Sequence, residues 1–263
     1  MRLATWNVNS LGARLPRVLA WLAEAQPDVL CLQETKMADG AFPAEAFAEL
    51  GYEATHHGQG QWNGVAIVSR LGLAEVQRHF GGTLDAAGAR LLAARCGSVL
   101  VHSVYVPNGR EVGSEHFVEK LRFLAELRSH LERSTSPEDL VCVCGDMNVA
   151  PEDRDVWDPA ALAGATHVSP EERQALQAVL DWGLVDALRA FTPAAGVHSW
   201  WDYRGGAFHK RQGMRIDLVL LSRPLAERCR LALVDRNERK GERPSDHAPV
   251  LVDLALDELG PSG

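Results

Sequence analysis

Apolar residues along this chain alternate in some stretches, recur at helical spacing in others, and run unbroken in a few. Alternation over residues 2–6 predicts a strand, and Leu15, Val18, Leu19 and Leu22 form a helical stripe over 16–25. Pro27-Asp28 ends that helix, and the unbroken run Val29-Leu30-Cys31-Leu32 predicts a strand covered on both faces. A short helix is expected over 42–50, closed by Gly51, and a strand over 64–68. Residues 90–94 and 98–106 read as a hairpin turning at Cys96-Gly97. The clearest amphipathic helix spans 115–131, with Ser114 as its N-cap. A buried strand over 140–144 follows, then a helix over 171–180 behind Ser169-Pro170. Strands over 199–203, 215–221, 229–234 and 249–256 complete the pattern, and 257–263 reads as a frayed tail. Strands and helices mix throughout without repeat or linker, which predicts an α/β or α+β fold in one domain over 1–256.

Composition narrows the class. The 263 residues are 46% hydrophobic, enough for one substantial core, and no apolar run approaches the roughly 20 residues of a membrane helix. Five cysteines with no hydrophobic leader ahead of 2–6 predict free thiols in a soluble, cytoplasmic protein. Cys142 and Cys144 should share one strand face as core filler, since a thiolate metal site needs further ligands nearby. A net charge of −8 argues against binding phosphate polymers, but its distribution does not. Arg204, Lys210, Arg211 and Arg215 occur with no acid between them, and 236–243 holds four basic residues against Glu238 and Glu242.

The chemistry lies in short polar motifs at the ends of apolar runs: Trp6-Asn7, Gln33-Glu34-Thr35-Lys36, Gly145-Asp146-Met147-Asn148, Arg215-Ile216-Asp217 and Ser245-Asp246-His247-Ala248-Pro249. Each alone has a plain structural reading, such as an Asx turn at 146–148 or a Glu34–Lys36 ion pair. Together they supply carboxylates, carboxamides and one imidazole, which converge only if strands deliver their ends to one sheet edge. Oxygen ligands without clustered thiols or histidines suit a hard cation, magnesium or manganese, and a hard cation beside such groups suits phosphate-ester hydrolysis. Asp217 interrupts an apolar run, as expected of an aspartate that holds His247 in one tautomer.

These signatures, in this order, resemble exonuclease III and the AP endonucleases of the endonuclease/exonuclease/phosphatase superfamily. Supporting matches are Trp62-Asn63-Gly64-Val65-Ala66-Ile67, Tyr105-Val106-Pro107-Asn108-Gly109 and Ser199-Trp200-Trp201-Asp202-Tyr203-Arg204, so the likeness runs from about residue 2 to 254. The resemblance implies a four-layer α/β sandwich, two mixed sheets face to face with helices outside. It implies a magnesium-dependent enzyme, with manganese as substitute, that cuts double-stranded DNA 5′ to abasic sites and trims damaged 3′ ends. A monomer is expected. By motif position, Glu34 resembles the principal metal ligand, with Asn7, Asp146, Asn148, Asp246 and His247 around the metal. Asp146 resembles the residue that activates the attacking water, with Asp146 and His247 both assigned to catalysis and the general base left open between them. Asn148 would stabilise the pentacovalent phosphorus, Asp217 orient His247, and Tyr105 and Asn108 contact the phosphate. Arg110, Lys210 and Arg211 are the basic groups expected to bind substrate. Trp200 or Trp201 would wall a pocket for an extruded abasic sugar, although strand alternation lets only one of them face the site. The alternatives are a phosphodiesterase of this fold acting on RNA or on a small or lipid phosphodiester, and a non-catalytic nucleic-acid binder.

Overall fold

The computed structural model describes residues 1–80 and 88–256; the expected tail at 257–263 lies outside the described residues. The first half of the chain runs β1 (Arg2–Asn7), α1 (Leu11–Ala25), β2 (Val29–Gln33), α2 (Ala44–Ala48), β3 (Glu53–His57), β4 (Val65–Ser69), β5 (Ala74–Gln77), β6 (Leu91–Cys96) and β7 (Val99–Tyr105). After α3 (Glu115–Ser134) come β8 (Val141–Asp146), α4 (Pro170–Leu180), β9 (Leu184–Asp186) and α5 (Ala187–Phe191). The last part holds β10 (Trp200–Trp201), α6 (Ala207–Lys210), β11 (Gly213–Met214), β12 (Asp217–Ser222), α7 (Arg223–Ala226), β13 (Cys229–Val234) and β14 (Val250–Leu254).

Two six-stranded sheets form, ordered β13-β14-β1-β2-β4-β3 and β5-β6-β7-β8-β12-β9. Each is mixed: β1–β2 and β7–β8 pair parallel and their neighbours antiparallel. The continuous apolar runs follow from burial on both faces. In β8, Cys142 and Cys144 point into the core between the sheets, while Val141 and Val143 pack under α3 and α4 beside Phe123, Leu127 and Leu176. On the other sheet, Leu30 and Leu32 pack under α1 with Val18 and Leu22. The result is the four-layer α/β sandwich. All five cysteines are free and buried. Among the described residues, no helix is long and apolar enough to cross a membrane.

Several boundaries differ from expectation. Helix α1 starts at Leu11, so Pro16 lies inside it, because buried Leu11 anchors the first turn and its amide donates to the Thr35 carbonyl at 3.0 Å. The strand expected over 199–203 shrinks to two residues. Strands β3, β5 and β9 were not expected: their half-exposed sequences lack a clear period.

Candidate active site

Strand register lines up one row of the site. Asp146, the last residue of β8, pairs with Tyr105 at the end of β7 and with Asp217 at the start of β12. In the facing sheet, Asn7 ends β1 opposite Gln33, which ends β2 and leads into Glu34. Between the sheets, the Gln33 amide donates to Thr5 Oγ1 at 2.9 Å and to Ser103 Oγ at 3.0 Å, a buried polar link below the site.

The turn after β2 is held tightly. Glu34 and Lys36 both adopt positive φ, at 51° and 53°. The Ser10 amide donates to the Glu34 carbonyl, and the Thr35 and Lys36 amides donate to Gly64 and Asn63. A Cβ on Gly64, where φ is +95°, would sit 2.0 Å from Thr35 Oγ1, so the Asn63-Gly64 motif is a support for this turn.

Among the described residues, one group of acidic, histidine or cysteine side chains brings three ligand atoms within 4.8 Å of one another: Glu34, Asp146 and His247. The Asn7 amide bridges the carboxylates, donating to Glu34 Oε1 and Asp146 Oδ2 at 2.9 Å each. Lys36 pairs with the other Glu34 oxygen at 2.8 Å, so the ion pair and the convergent site coexist. His247 is locked by Nδ1 against Asp217 Oδ2 at 2.8 Å, leaving Nε2 3.9 Å from Asp146. Its loop is fixed through backbone groups. Trp6 Nε1 donates to the His247 carbonyl, and Ser245 Oγ donates to the Asn7 carbonyl and accepts from the His247 amide. Ser199 Oγ accepts from the Ile216 and Asp217 amides, fixing the start of β12.

The electrostatics follow from crowding. Burial raises the Asp146 carboxyl, and Asp217 and Glu34 raise it further against the opposing pull of His247, to about 7. Burial would lower His247, but Asp217, Asp146 and Asp246 outweigh it and hold the imidazolium to about 10. Burial, with Glu34 and Asp146 close by, also pushes the Tyr105 hydroxyl up, so it stays a donor.

Other expected site residues lie around this group. Asp246 stands outside the three-membered cluster, accepting from Asn9 Nδ2 at 3.0 Å and Trp200 Nε1 at 3.1 Å. Asn148, at φ 49°, turns its amide to the Val106 carbonyl and its Oδ1 to Asn108 at 3.4 Å, away from the carboxylates and toward the Asn108 loop. Arg110, Lys210 and Arg211 are exposed. The two tryptophans divide: Trp200 is half-buried against Asp246, whereas Trp201 is 1% exposed and packs on Phe208, which corrects its expected place in a substrate pocket. Two arginines of the basic stretches are likewise internal. Arg215 pairs with Asp155 and Asp186, and Arg239 donates to the Ser245 and Trp201 carbonyls. Asn9 escaped the sequence reading because Asn at a strand end is common in turns; its link to Asp246 is visible only in space.

This donor set fits a divalent cation. Two carboxylates share one amide donor on a largely buried floor, an arrangement of oxygen ligands that a hard ion neutralises. Residues 4–247 match the family model described as the endonuclease/exonuclease/phosphatase family. The chain belongs to this family. An exodeoxyribonuclease III of Haemophilus influenzae is 36% identical, covering 97% of this chain and all of its own length. An AP endonuclease structure from Archaeoglobus fulgidus superposes with a TM-score of 0.95 at 36% identity, covering 97% of this chain and all of that one. A Neisseria 3′ phosphatase bound to a product DNA hairpin superposes at 0.93 with 38% identity and the same two coverages. Within the family, this places the chain in the exonuclease III and AP endonuclease branch.

Proposed function

We propose that this protein is a metal-dependent DNA-repair nuclease that hydrolyses the phosphodiester on the 5′ side of abasic sites and trims damaged 3′ ends. The observation that carries the reading is the convergence of Glu34, Asp146 and the Asp217-locked His247 at one sheet edge. The relatives act on DNA by their names, and the sandwich superposes on theirs over nearly its whole length. Residues 1–256 act as one catalytic unit, since both sheets contribute side chains to the site, and a monomer is the expected state. A cytoplasmic location accords with the buried free thiols.

Glu34 and Asp146 would hold the cation, with Asn7 fixing the distance between them. Bound there, magnesium supplies Lewis-acid withdrawal of charge from a phosphoryl oxygen. Asp146, whose Oδ2 lies 3.9 Å from His247 Nε2 at the centre of the cluster, is placed to take the proton of the attacking water. His247 presents Nε2–H to a phosphate oxygen while Asp217 holds the ring. Tyr105 and Asn108 offer donors at the rim, and Asn148 lies next to Asn108 to receive the phosphate. Trp200 forms the apolar wall beside Asp246. Arg110, Lys210 and Arg211 are exposed and would meet the DNA backbone, offsetting the net −8 locally.

The test uses metal-stripped protein on a labelled duplex carrying one abasic analogue, beside an undamaged duplex with a recessed 3′ end, with and without magnesium. Magnesium-dependent incision 5′ to the lesion and shortening of the 3′ end are expected. Folded protein that cuts neither with magnesium or manganese would end the DNA-repair reading and favour a small phosphodiester or a silent binder.

A further inference from the structure

A fully buried ion pair lies beneath the two asparagines of the phosphate rim. Lys120, on the inner face of α3, and Glu172, in the first turn of α4, are both 0% exposed and form an ion pair. The ammonium spends all three of its protons. Besides Glu172 it donates to the Asn148 carbonyl at 2.6 Å and to the Asn108 carbonyl at 3.1 Å. Those residues follow β7 and β8, and their side chains meet at 3.4 Å. Glu172 is equally committed: Oε1 accepts from Thr166 Oγ1 and the His167 amide, and Oε2 from the Ser169 amide and hydroxyl.

The lysine is costly to bury, and the buried residues near it on α3, Phe117, Phe123, Leu124 and Leu127, are apolar. What a cation does here is accept a backbone geometry that an apolar side chain would not. Asn148 sits at φ 49° with its carbonyl turned inward, where Lys120 Nζ donates to it and His167 Nδ1 lies within hydrogen-bond distance, and Gly109 at φ +87° packs so closely that a Cβ would lie 2.9 Å from Lys120 Cδ. The same Asn148 peptide segment reaches the chemistry, because its amide donates to Asp146 Oδ1 at 2.9 Å. We infer that Lys120, held by Glu172, is a positioning residue for the reaction. Its tripod of hydrogen bonds sets the Asn148 peptide, and through it the aim of the Asn108 and Asn148 amides at the phosphate. The inference rests on the nuclease reading given above.

The experiment is a double-mutant cycle on the 3′-recessed duplex in magnesium, pairing Lys120→Met/Glu172→Gln, which removes both charges at similar volume, with Asn148→Ala. In the wild-type background, kcat should fall at least about tenfold, with KM within about threefold and the circular-dichroism spectrum unchanged. In the Asn148→Ala background, the same two substitutions should cost less than about threefold, because the group they aim is gone. Wild-type kcat from the folded variant, an equal loss in both backgrounds, or a loss confined to KM would each overturn the inference. If the doubly substituted protein does not fold, Glu172→Gln alone carries the same cycle with the same criteria. An inert wild-type protein would overturn the nuclease reading, and this inference with it.

Discussion

Asp146 gathers most of the site's stored electrostatic tension: it is buried, faces Asp217 and Glu34 as like charges, and is relieved by His247 and the Asn7 amide. Replacing it with asparagine keeps the shape and removes the proposed proton acceptor. Asp146→Asn should lower kcat about 10²–10⁴-fold, read from steady-state cleavage of the abasic duplex with the fold checked by circular dichroism. Ser245 works by support. Its hydroxyl joins the Asn7 carbonyl to the His247 amide, so Ser245→Ala leaves two buried groups unmet. That variant should lose about 1–3 kcal/mol in chemical denaturation and part of its kcat; unchanged stability would count against the link. At this scale the motifs were legible because a charged or amide side chain at the end of an apolar run demands a partner. The contributions of Trp6, Ser199 and Gln33 were not, because each acts on another residue's backbone or across the gap between sheets.

Among the elements, β8 and its neighbours position the site. Gly145 adopts φ +141°, and a Cβ there would lie 1.9 Å from the Val104 carbonyl on β7. The close approach of these strands sets Tyr105 beside Asp146. Gly145→Ala should therefore destabilise the protein by about 3 kcal/mol, seen as a lower urea midpoint with unchanged slope. A neutral substitution would mean that the β7–β8 spacing is slack. The long apolar strands and helices α3 and α4 were read correctly, since both faces of the one and the inner stripe of the other are buried. Ser169 caps α4 in a capping box with Glu172, as Ser-Pro-Glu-Glu at its start suggests. The start of α1 was misplaced, because Pro16 reads locally as a first helical residue, whereas burial of Leu11 carries the helix five residues further toward the N-terminus.

For the molecule as a whole, buried neutral histidines shape the response to acid. Burial lowers His56 to about 4, His102 to about 3 and His198 to about 4, against partial recovery from their surroundings. The unfolded chain takes up these protons near 6.5, before the folded one does, so stability falls as pH drops from about 6.5 toward 4. Asp146, raised to about 7 against an unfolded value of about 3.9, titrates in the opposite sense across that window. Denaturant midpoints of Asp146→Asn at pH 7.5 and pH 5 remove the opposing group and should show the loss; equal midpoints would contradict it. The order of motifs and the length of the apolar runs were enough to place the chain in its superfamily and to name the carboxylates and the histidine. Those properties depend on local chemistry: a run buried on both faces must be apolar, and a catalytic group at its end must be polar. Which tryptophan meets the site, which arginines are internal, that Asp246 turns to Trp200 and Asn9, and that Lys120 underpins Asn108 and Asn148 all depended on the packing of two sheets. Such contacts join residues as much as 237 positions apart, and burial at that range leaves no periodic trace in the chain.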